Sequence, residues 1–127
     1  MSIRTPLAHA RGLGSAKSGT AHWWAQRLTA IALIPLVIWF VVSIVIMTGS
    51  DHDAVVAWIG NPLTAVLMVL LIVAVFHHMQ LGLQVVIEDY VHTRWMELAL
   101  LLLVKGAALL LGAIGILSVL KIAIGGA

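Results

Sequence analysis

The sequence predicts an all-α membrane protein with three transmembrane helices. Composition is the first reason: the chain is 62% apolar and only 9% charged, where an ordinary soluble domain is about half apolar and a quarter charged. Mean hydropathy, at +1.12, is the second. Third, the apolar residues fall into three runs separated by short polar connections. Each run can cross ~30 Å of hydrocarbon at ~1.5 Å rise per residue. So apolar a chain has no soluble domain to host a separate catalytic site. Cysteine is absent, which excludes disulfides, thiolate metal sites and iron–sulfur ligation by this chain. A formal net charge of +2 is too small to suggest a nucleic-acid partner.

Residues 1–21 are polar, basic and glycine-rich and read as an N-terminal tail. They do not read as a cleaved signal peptide, because no short apolar core runs into a small-residue cleavage site. The segment GLGSAKSG at 12–19 superficially resembles a phosphate loop. It lacks both the GxxxxGK[ST] pattern and a preceding strand, so it reads as a glycine-rich linker. Residues 22–127 form the transmembrane domain, with helices expected at about 23–47, 62–88 and 96–122. Trp23 and Trp24 open the first helix as interfacial residues, and Pro35 should loosen or kink it. The stretch 48–62, TGSDHDAVVAWIGNP, reads as a loop, and Asn61-Pro62 starts the second helix with proline in its first turn. Residues 88–95, EDYVHTRW, form a short second connection, and the third helix is rich in Leu, Ala and Gly.

Lys and Arg give the orientation. Arg4, Arg11, Lys17 and Arg27 lie at the N-terminal side, and Arg94 lies in the second connection. The first loop holds none, and Lys121 stands alone at the far end. The N-terminus and the second connection are therefore expected to be cytoplasmic, and the C-terminus periplasmic.

Six histidines are unusual in so apolar a chain. His78 stands out, because ionisable groups inside a membrane helix are costly and mark functional candidates. Asp89 follows His78 by eleven residues, which at about 100° per residue brings the helix back to within roughly 20°. His78, Gly82, Val85 and Asp89 are thus expected on one face. An imidazole in apolar surroundings beside a glycine suits a haem iron. The plainer reading is a histidine hydrogen-bonded between helices. His77 points about 100° away, so both cannot hold one iron from opposite sides. His22, His52 and His92 lie near membrane ends, so a second axial ligand would have to come from another protein chain. Gly82 gives clearance for a porphyrin or simply a helix-packing contact.

Tyr90 offers a phenol donor to a carbonyl oxygen. Asp89 can orient that phenol or relay a proton, and together they suit a quinone head group; the alternative is an interfacial anchor beside a solvated acid. Tyr90 would act as donor rather than general acid, since an unperturbed phenol has a pKa of about 10. Arg27 either meets a haem propionate or quinone oxygen or snorkels to the surface. Lys105 lies near mid-bilayer and needs a partner or a wet crevice. Pairing it with His78 as a transporter couple finds no support in an inverted repeat.

The stretch H-x3-G-x6-D-Y, here His78, Gly82, Asp89 and Tyr90, resembles the second helix of the small hydrophobic membrane anchor of succinate dehydrogenase. Arg27-Leu28-Thr29-Ala30-Ile31 resembles that family's R-x-T-A-I. The N-terminal RGLGSAKSGT, HWW and QR are similar to alphaproteobacterial members. The resemblance runs from about His22 to the end. It implies half of a heterodimeric anchor bundle in complex II of a bacterial cytoplasmic (inner) membrane, serving the tricarboxylic acid cycle and electron transport. It implies haem b shared with a second three-helix anchor protein, with His78 as this chain's axial ligand and the second ligand on that partner. It also implies docking of the succinate dehydrogenase iron–sulfur protein, which receives electrons from the flavoprotein. Ubiquinone is the implied substrate, beside Tyr90 and Asp89. Arg27 takes the place of an arginine near the propionates. His22 stands one residue off the family's propionate-side histidine when Arg27 is held in register. No catalytic residue, and no activity of the isolated chain, is implied. A fumarate reductase-type anchor and a haem-free structural anchor are the neighbouring expectations.

Overall fold

A computed structural model describes residues 6–7 and 19–125. Arg4, Arg11 and Lys17, used for orientation above, and nearly all of the glycine-rich segment lie outside the described residues. From Gly19 onward the chain forms four helices: α1 at Gly19–Met47, α2 at His52–Gly60, α3 at Pro62–Tyr90 and α4 at Arg94–Gly125. No strand occurs among the described residues. Three of the helices, α1, α3 and α4, are long and apolar enough to span a membrane, at 29, 29 and 32 residues. By ~1.5 Å per residue each exceeds the ~30 Å hydrocarbon core. All three overrun their expected bounds by a few residues at one or both ends, because polar residues at a membrane surface continue the backbone hydrogen-bond ladder without being buried.

Local chemistry sets the boundaries. Helix α1 continues through Pro35. It stops beyond Met47, where Gly49 takes a φ of 86°, a left-handed conformation natural to glycine. Asp51 caps α2, its carboxylate accepting from the Ala54 amide at 2.9 Å. Asn61 serves two helices. Its backbone N–H donates to the Trp58 carbonyl at the end of α2. Its side chain accepts from the Leu63 and Thr64 amides, opening α3 with Pro62 in the first turn.

The expectation of a plain loop at 48–62 is corrected by α2. This short helix is amphipathic. Val55, Val56, Trp58 and Ile59 are half-buried, while Asp51, His52 and Asp53 are exposed. It packs on α3 and α4, and Trp58 stacks on Trp39 of α1 with ring centroids 6.0 Å apart. Bracketing turn signals outweighed a nine-residue apolar pattern too short to show a clear period.

Helix α3 is the centre of the bundle, packed on α1 and on α4. The α3–α4 seam is built on small residues. Ala108 and Gly112 are buried on α4 and line a narrow space with Ile72 and Phe76 of α3. A Cβ at Gly115 would stand 3.3 Å from Ile72 Cδ1, and one at Gly112 would stand 3.6 Å from Phe76 Cδ2. Backbones approach closely there, as small residues allow in lipid. Gly115→Leu should therefore lower the midpoint of detergent-induced unfolding of the purified protein, since overpacking a tight contact costs about 1–3 kcal/mol. Gly106→Leu, where nothing lies within 4 Å of the added Cβ, should leave it near the parental value.

Candidate functional site

A cavity of about 630 Å3 lies between α1 and α3, lined by His22, Trp23, Gln26, Arg27 and Ala30 from α1 and His78, Gly82 and Val85 from α3, with Gly19 at its edge. Its size is that of a small-molecule or cofactor site. Antiparallel packing brings these residues together. Thr29 stands about 15 Å along α1 from Gly19, and His78 about 18 Å along α3 from Tyr90, at ~1.5 Å per residue. The two meet at matching depth, the Thr29 hydroxyl 3.0 Å from His78 Nδ1.

The predicted face of α3 is thus largely present. His78, Gly82 and Val85 share the cavity, and Asp89 does not line it. Gly82 leaves its side of the wall open. A Cβ there would meet only the Gln26 amide nitrogen, at 3.7 Å, in ordinary contact. His77 points elsewhere, as the 100° step requires. It lines a separate, smaller cavity of about 230 Å3 between α3 and α4, with Gln80, Phe76 and Gly112.

The α1 wall is polar in a way the sequence motifs did not single out. His22, Gln26 and Thr29 recur at steps of four and three residues, one stripe of the helix. His22 Nε2 and Gln26 Oε1 are buried with no hydrogen-bond partner. A buried polar atom without a partner costs about 1–3 kcal/mol, so native structures rarely keep one unused. The signal was legible as three polar residues at helical spacing in an apolar helix. Gln26 escaped notice because neighbouring Arg27 carried the motif. Arg27 lines the same cavity, with its guanidinium carbon 5.2 Å from the Trp23 ring centroid. That cation–π contact holds the charge at the rim of the cavity.

Asp89 and Tyr90 end α3. Both are exposed, Tyr90 at 81%, and neither contributes to this cavity's wall. Lys105 is exposed on α4, and among the described residues no carboxylate pairs with it. No group of three or more His, Asp or Glu side chains that could hold a metal ion occurs among the described residues. His78 therefore offers a single imidazole at the inner end of the cavity, which suits an iron whose other ligands come from a macrocycle and from elsewhere. The cavity fits a planar cofactor with a polar edge. Gly82 leaves room, His78 supplies a nitrogen, and unpartnered His22 and Gln26 stand with Arg27 where a charged rim needs hydrogen bonds.

Comparison with known proteins identifies a family. A family model described as succinate dehydrogenase/fumarate reductase transmembrane subunit matches residues 1–118. The succinate dehydrogenase hydrophobic membrane anchor subunit of Rickettsia bellii is 32% identical over 103 residues, covering 81% of this chain and 82% of the relative. The protein of the same description from Paracoccus denitrificans is 34% identical, covering 68% and 67%. The succinate dehydrogenase membrane anchor subunit of Reclinomonas americana is 30% identical, covering 73% and 80%. No solved structure matches the chain. Three spanning helices, a cavity at the histidine helix and these relatives converge: the chain belongs to the family of succinate dehydrogenase/fumarate reductase transmembrane subunits.

Proposed function

We propose that this chain is one half of the membrane anchor of a succinate:ubiquinone oxidoreductase, holding haem b together with a second anchor protein. The observation that carries the reading is the α1–α3 cavity, where His78 faces unpartnered His22 and Gln26 across the space left by Gly82. Haem b bound there would supply a one-electron store. His78 would hold the iron from this chain's side of the cavity. Arg27 and His22 serve the propionate edge, with Gln26 beside them. A further protein ligand would come from the partner anchor, since among the described residues the cavity's other histidine, His22, lies about two helical turns from Thr29, the residue that meets His78.

Tyr90 and Asp89 form this chain's share of the quinone-reduction site. Their exposure at the end of α3 supports that role only in an assembly, where a facing protein completes the wall. Tyr90 donates to a quinone carbonyl, and Asp89 or water supplies protons. The anchor docks the iron–sulfur protein, which passes on electrons from the flavoprotein that oxidises succinate. The N-terminus and the α3–α4 connection face the cytoplasm, and the C-terminus the periplasm, of a bacterial inner membrane, by the distribution of Lys and Arg.

A second reading has its own observation. A haem-free structural anchor needs His78 only as an interhelical hydrogen-bonding group, and His78 does bond Thr29. That bond uses one ring nitrogen, however, and among the described residues Nε2 makes no hydrogen bond. A purely structural histidine in lipid would be expected to satisfy both.

A reduced-minus-oxidised optical spectrum of the purified complex decides between them. His78→Ala should abolish the low-spin b-type signal or convert it to high spin, and an unchanged spectrum would move the ligand elsewhere. Tyr90→Phe should leave that spectrum intact while lowering quinone reduction about tenfold, the effect of one lost hydrogen bond of ~1.4 kcal/mol; full activity would remove Tyr90 from the mechanism. Gly82→Leu, whose side chain enters the cavity, should sharply reduce the haem content of the purified complex. Gly82→Ala should retain it, because its Cβ meets Gln26 only in ordinary contact.

A further inference from the structure

We infer that Thr29 is a positioning residue that fixes the tautomer of His78, placing the proton on Nδ1 and presenting Nε2 as the lone pair for iron. This role rests on the reading of His78 as a haem ligand and goes beyond helix packing.

One hydroxyl hydrogen has three neighbours to choose between. Thr29 Oγ1 lies 2.7 Å from the Ala25 carbonyl oxygen, 3.1 Å from the Gln26 carbonyl oxygen and 3.0 Å from His78 Nδ1. Both carbonyls can only accept, and threonine has a single hydrogen to donate. Two oxygens at 2.7 Å with no hydrogen between them would set lone pair against lone pair, whereas this is the usual separation of an O–H···O bond. The hydroxyl hydrogen therefore points to Ala25. What remains at Oγ1 is acceptor capacity, and a 3.0 Å contact with Nδ1 then requires that Nδ1 carry the proton and donate. A neutral imidazole with Nδ1–H has its lone pair on Nε2. His78 and Gly82 line the same cavity, so this tautomer suits a metal there.

The arrangement follows the logic of the outer partners of metal-bound histidines, which hold the tautomer, orient the ring and raise ligand basicity. Here the partner is a hydroxyl on the neighbouring helix. Its own hydrogen is committed to a backbone carbonyl four residues back, a common habit of threonine in helices. A stronger donor ligand favours the ferric form, so Thr29 should hold the haem potential below the value it would otherwise have.

The test uses the whole complex in four forms: parental, Thr29→Val, Thr29→Ser and His78→Ala. Thr29→Val keeps the shape and removes the acceptor. It should retain a low-spin b-type spectrum, raise the haem midpoint potential and hasten haem loss about tenfold, at the low end of what removing such partners costs in metal affinity. Thr29→Ser, which keeps the hydroxyl, should return both readouts toward the parental values. A Thr29→Val complex with parental potential and haem retention, beside a His78→Ala complex that has lost its signal, would overturn the role of Thr29 and leave His78 as ligand. An unaltered spectrum in His78→Ala would instead remove the ligand and this inference with it. A second measurement needs no substitution at Thr29. Solid-state NMR of the parental complex with 15N-labelled histidine, assigned against His78→Ala, should show a proton on Nδ1 of His78, and a bare Nδ1 would refute the tautomer.

Discussion

Among the described residues, the contact between Thr29 and His78 is the only side-chain hydrogen bond joining two membrane-spanning helices. Water cannot satisfy polar groups in hydrocarbon, so such a bond fixes rotation and depth together. It sets which face of α1 meets α3. With Thr29 turned inward, His22 and Gln26 follow onto the same side, because they lie seven and three residues before it on one helical stripe. The cavity wall is thus a consequence of one pairing. An interhelical bond in lipid contributes only about 1 kcal/mol, so its importance is in register more than in stability.

Helix α3 keeps two unlike faces apart. Towards α4 it presents Ile72 and Phe76, which fit against Gly115 and Gly112 in close contact. Towards α1 it presents His78, Gly82 and Val85, and the fit is loose enough to leave a cavity. The neighbouring histidines divide along that line. His77 lines the narrower α3–α4 space and His78 the wider α1–α3 space, so one 100° step sends neighbouring imidazoles to different cavities. The tight seam can serve as the rigid side against which a less filled site is held in place.

Much of this was legible in the sequence, because a bilayer enforces simple rules. Span length and apolar content gave three helices, and the spacing of His78, Gly82 and Val85 gave their shared face. What was hidden depended on pairing between segments far apart in the chain. Thr29 looked like part of a motif, and nothing in the sequence says that it meets a histidine 49 residues later. Gln26 looked like a neighbour of Arg27 until its oxygen proved buried and unpartnered. The helix at His52–Gly60 was hidden for another reason: its Asp51 cap and the Asn61-Pro62 start of α3 are also turn signals, and nine residues give too few turns for a period to emerge.

The distribution of burial explains why such a chain belongs in an assembly. No residue of α1 is buried, although α1 carries the polar wall of the cavity. The walls of that cavity come from α1 and α3 alone, so α4 does not close it. Lys105 is exposed on the membrane-spanning part of α4 with no carboxylate beside it among the described residues, and an unpaired ionisable side chain in a bilayer is costly. Lipid can cover an apolar surface, but it cannot complete a polar cavity or pair a mid-membrane charge. A facing protein can do both. An open polar cavity on one side and a lysine awaiting a counter-charge on another helix are what a family of anchor proteins working in a larger complex should show.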